Sequence, residues 1–76
     1  MKLTINFLIL VHTSSHAISI ERKLKDAGIN CKLASIPRNI STDCGICVRF
    51  NSADLEQVEK TIRELPFEIV SIIPAP

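Results

Sequence analysis

At 76 residues, 46% of them hydrophobic, the chain reads as one small domain over 1–76, with a modest core and little room for a deep substrate cavity. Nine basic and 8 acidic residues leave a formal charge of +1, and the aromatics are three Phe without Tyr or Trp. Neither the electrostatic footprint nor the stacking platform of a nucleic-acid binder is present, and no basic surface points to an anionic membrane. Three cysteines cannot complete a disulfide framework, and this odd count fits a reducing cytoplasm better than secretion.

Lys2 followed by Leu3 to Val11 and then Ser14-Ser15-His16-Ala17 superficially copies a secretory signal. The stretch is too short and polar to span a membrane. Leu3, Ile5, Phe7, Ile9 and Val11 also stand at alternate positions, which predicts a buried first strand from about Leu3 to His12. Ser14 or Ser15 can cap the helix that follows, whose apolar stripe is Ala17, Ile20, Leu24 and Ala27 and whose end is marked by Gly28. A second strand runs from about Ile29 to Ile36, with Cys31 and Leu33 on one face and Asn30, Lys32 and Ala34 on the other, until Pro37 breaks it. In a third strand Ile46, Val48 and Phe50 face the core, and Cys47 and Arg49 point the other way. Asn51 or Ser52 caps a second helix with Asp54 and Glu56 in its first turns and Leu55, Val58, Ile62 and Leu65 on its buried side, stopped by Pro66. Phe67 to Ile73 forms the last strand before a Pro74-Ala75-Pro76 tail.

The order β-α-β-β-α-β is the ferredoxin-like α+β pattern, a four-stranded antiparallel sheet with both helices on one face. Two right-handed crossovers put the first and third strands in the centre and the second on an edge. The face without helices could carry Leu8, Leu10, Val70 and Ile72, and a homo-oligomer or partner would then cover it.

Chemistry concentrates in Pro37-Arg38-Asn39-Ile40-Ser41-Thr42-Asp43-Cys44-Gly45-Ile46-Cys47, between two apolar strands. Cys44 follows a polar run and precedes Gly45, which permits close approach of another molecule's backbone. Arg38 would favour its thiolate and Asp43 would oppose it. Cys44 and Cys47 form a Cys-x-x-Cys, but one leading into a strand rather than standing at a helix N-terminus where such redox pairs gain their low pKa. Cys31, Cys44 and Cys47 with His12 or His16 have zinc-ligating chemistry without the paired spacing of a finger or ribbon, so no metal or other cofactor is assigned. Cys31 reads as a core residue. His12 and His16 flank the first strand-to-helix corner, and His16 could exchange a proton during sulfur chemistry if that corner approaches the cysteine segment.

Leu8-Ile9-Leu10, His16-Ala17, Glu21-Arg22-Lys23-Leu24-Lys25 leading to Gly28-Ile29, and above all Pro37-Arg38 with Ser41-Thr42-Asp43-Cys44-Gly45 and Arg49-Phe50 resemble the small selenium/sulfur carrier protein-like family. The resemblance covers nearly the whole chain. It implies a cytoplasmic bacterial or archaeal protein that carries sulfur or selenium on Cys44, the cysteine before glycine. Cys47 departs from the family's small apolar residue at that position. The partners implied are a donor such as a cysteine desulfurase and an acceptor enzyme, with Arg38 stabilising the persulfide anion and Arg49 or a helix lysine docking an acidic surface. The alternatives are a small-ligand-binding or regulatory module on the same fold, or a Cys44/Cys47 thiol-redox protein.

Overall fold

The computed structural model describes residues 5–36 and 45–75. Along them lie β1 (Asn6–Leu10), α1 (Ser14–Asp26), β2 (Cys31–Ser35), β3 (Ile46–Asn51), a 3-10 turn (Ser52–Asp54), α2 (Leu55–Arg63) and β4 (Ser71–Pro74). All pairings are antiparallel, in the order β2-β3-β1-β4, so β1 and β3 are central and β2 and β4 form the edges. This is an α+β arrangement consistent with the ferredoxin-like fold. No helix among the described residues is long and apolar enough to cross a membrane.

Register and side-chain alternation divide the interior in two. Ile9, Val48 and Phe50 of the central strands face the helices and meet Ala17, Ile20 and Leu24 of α1 and Val58 of α2, all essentially inaccessible to solvent. Phe7 stands opposite Phe50, and their rings stack with centroids 5.8 Å apart. The other face carries a second cluster of Leu8, Leu10 and Cys47, with Ala34, Ile36, Ile73 and Ala75 packed around it. Leu8 and Leu10 are 3% and 4% exposed within the single chain, so they are not the open patch for a second copy that the alternation suggested. β1 is therefore buried on both faces, while the expected alternate member Ile5 is 53% exposed just ahead of the strand.

Helix α1 begins one residue earlier than a Ser14 cap would place it and two earlier than a Ser15 cap. Thr13 is the extended cap residue (φ −139°), and its Oγ1 accepts the His16 backbone N–H at 3.2 Å. At the other end the Gly28 N–H donates to the Lys25 carbonyl and the Ile29 N–H to the Leu24 carbonyl, at 3.0 and 2.9 Å. Those are the paired bonds of a Schellman ending, with Gly28 at φ +80°. Ala27, expected in the apolar stripe, is the cap residue of this ending and is exposed. Asn51 does cap a helical start, accepting the Ala53 N–H at 2.8 Å, but what it opens is the 3-10 turn ahead of α2.

The last strand is shorter and one residue out of phase with the expected Phe67–Ile73. Phe67 is drawn against His16, Val70 donates its N–H to the Leu10 carbonyl at 2.8 Å, and regular pairing starts only at Ser71. The irregular leg breaks the alternation. Ile69 and Ile72 consequently face the helices, Ile73 takes the opposite face, and Val70 is 47% exposed. Pro74 closes β4, where a missing N–H is tolerated because an edge strand pairs on one side only.

Candidate functional site

Cys44 and Arg38 lie outside the described residues, as does the remainder of 37–44. Their frame is described. Register pairs Ser35 with Ile46 and Ala34 with Cys47, and the Ile36 N–H donates to the Gly45 carbonyl at 3.0 Å, closing the base of the segment between β2 and β3. Gly45 is exposed, and its φ of +69° falls in the left-handed region where a side chain clashes with its own backbone. A Cβ at that position would meet no atom of the described residues within 4 Å. Among them, the glycine is thus required by conformation and not by crowding.

Leu10 pairs with Cys47 and with Ser71, which gathers the end of β1, the starts of β3 and β4 and the first turn of α1 at one end of the sheet. The base of segment 37–44 belongs to the same end. His16, the expected proton-exchanging residue, stands at this end in the first turns of α1, its ring stacked on Phe67 with centroids 3.9 Å apart and planes 6° from parallel. Its Nδ1 is buried without a hydrogen-bond partner among the described residues. His12 is exposed at the corner.

Cys47 occupies the face away from the helices, as alternation predicted. It is completely buried in the second cluster, with its Sγ 3.5 Å from the Ala34 carbonyl. Cys31 is 7% exposed on the helix side and lies 3.5 Å from the Glu21 carbonyl. Burial pushes the Cys31 thiol above its ordinary pKa of 9.0; the Glu21 carboxylate adds to this and Lys25 partly offsets it. The sheet therefore separates Cys31 from Cys47, and they cannot ligate one ion. Among the described residues no group of three His, Cys, Asp or Glu side chains is placed to hold a metal. What the sequence reading missed was the covering of Cys47. The signal lay in Leu8, Leu10, Ala34 and Ile36, which share its outward parity; Ile73 joins them only through the break in alternation before β4.

A family model described as "Putative Se/S carrier protein-like" matches residues 6–74. The chain belongs to this Se/S carrier protein-like family. It is also similar to "Uncharacterized protein YtiA" of Escherichia coli (strain K12), at 29% identity over 56 residues covering 74% of this chain. The match spans 66% of YtiA, slightly less than two thirds of its length. No solved structure matches. Family membership extends across both strands that bracket 37–44, so Cys44-Gly45 falls inside the matched region together with the base formed by Ile36 and Gly45.

Proposed function

We propose that the protein is a cytoplasmic sulfur or selenium carrier and that Cys44 is the carrier atom's attachment point. The observation that carries this reading is membership of the Se/S carrier protein-like family over residues 6–74, a span that includes the Cys44-Gly45 pair. The exposed, left-handed Gly45 supports it, because a carrier needs its chemistry at a turn that a partner's backbone can reach. The contrast among the cysteines supports it too. Cys31 and Cys47 are buried in apolar clusters, the setting in which thiols are inert.

The Cys44 thiolate attacks the terminal sulfur of a donor persulfide, such as that of a cysteine desulfurase. A Cys44 S–S bond forms, the donor's S–S bond breaks, and the donor thiolate leaves with the electron pair. An acceptor nucleophile then takes the terminal sulfur in the same way and Cys44 leaves as thiolate. Neither step needs an external oxidant or reductant, and none is assigned to His16. Arg38 stabilises the persulfide anion by a charge-assisted contact. Incubation with a desulfurase and cysteine should add one reducible sulfur by intact mass. Equal loading of Cys44→Ala would overturn the assignment.

A further inference from the structure

At the opposite end of the same strands, a cavity of about 430 Å³ opens where the start of β2 meets the end of β3 and the beginning of β1. Arg49 of β3 is four residues beyond Gly45, so the cavity lies about 13 Å along the sheet from the base of segment 37–44. Three cations line it, Lys25, Lys32 and Arg49, together with the amides Asn6, Asn30 and Asn51. Among the described residues no carboxylate does. Phe50 and Cys31 also line it, each almost fully buried.

The register makes this cavity more than a chance group of surface charges. Lys32 and Arg49 are direct cross-strand partners, an arrangement of like charges that is unfavourable in an antiparallel pair. Lys25 is engaged by Glu21 at 3.6 Å, whereas Lys32 and Arg49 have no ion pair among the described residues. Asn51 has its carboxamide oxygen occupied by the Ala53 N–H, which leaves its amide nitrogen as the group a ligand can use. Donors and positive charge thus converge on a pocket with no carboxylate among its described lining residues, in the size range of small-molecule sites. We propose that this cavity binds a small organic oxyanion, a carboxylate or phosphate on a compact apolar body, between Lys32 and Arg49. The Arg49 guanidinium supplies the planar fork that matches two oxygens, Lys32 the second charge, the asparagines neutral donors, and the aliphatic stems of Lys32 and Arg49 the surface for the apolar part.

Backbone amide NMR of the full chain, titrated with phenyl phosphate, benzoate or inorganic phosphate at ionic strength balanced by chloride, tests this. Saturable shifts confined to 30–32 and 49–51 are expected with one of the two aromatic anions, which identifies the oxyanion, and inorganic phosphate should bind more weakly for want of an apolar body. Arg49→Gln should weaken binding about tenfold or more, the usual loss for a hydrogen bond to a charged group. Lys32→Gln should hold or raise the thermal midpoint in chloride, since it removes a repulsion, while losing the midpoint increase that the anion gives the parent. Absence of saturable shifts, unchanged affinity in Arg49→Gln, or a lowered midpoint of Lys32→Gln in chloride would each overturn the proposal.

Discussion

Gly45 shows how much one backbone angle constrains. Its φ of +69° costs an L-residue roughly 1–2 kcal/mol, and none of the described residues crowds the site, so Gly45→Ala should destabilise by about that amount through the backbone. Thermal melts check this, with Gly45→Asn expected to lose less than Gly45→Ala because asparagine tolerates the left-handed region. The three cysteines make a second residue-scale contrast. Cys31 keeps its proton in the fold to higher pH than in the unfolded chain, because burial and Glu21 disfavour its thiolate. Above the ordinary thiol pKa of 9.0 the unfolded state binds fewer protons than the folded one, so stability falls as pH rises through this window. Denaturation midpoints measured across alkaline pH should therefore decline less steeply in Cys31→Val than in the parent. A parallel decline in both would show that Cys31 contributes nothing to the slope.

At the scale of elements, α1 owes its definition to two local motifs at its ends. Thr13→Ala removes the oxygen that accepts the His16 N–H and should cost about 1 kcal/mol, read from chemical denaturation, whereas Ser15→Ala, inside the helix, should cost little. The sequence marked this helix clearly but not its first residue, because Thr13, Ser14 and Ser15 offer the same capping chemistry and only the extended backbone at Thr13 selects among them. Gly28, by contrast, was legible because a left-handed ending has few alternatives to glycine. The last strand was the least legible element. Alternation from Phe67 to Ile73 looked regular, yet regular pairing starts only at Ser71, and the irregular leg before it shifts the phase of Ile72 and Ile73.

For the molecule as a whole, the strand order was readable from element order and crossover handedness, while the second cluster was not, since no helix signals its presence. Leu10 tests it directly. On a solvent-facing surface Leu10→Ala would be nearly neutral, but at 4% exposure beside Leu8 and Cys47 it should cost about 2–4 kcal/mol by denaturant titration. Of the candidate site, alternation correctly set Cys47 and Arg49 on the face away from the helices; only the register revealed that Lys32 and Arg49 stand opposite each other. The same sheet thus holds Cys31 and Cys47 in two separate apolar clusters and brings Ile36 and Gly45 together beneath the segment that carries Cys44. The claim that Cys44 carries sulfur is tested most directly by intact mass after incubation with a cysteine desulfurase and cysteine. The parent and a Cys31→Ala, Cys47→Ala variant should each gain one sulfur that a thiol reductant removes, and Cys44→Ala should gain none; undiminished loading of Cys44→Ala would contradict the account.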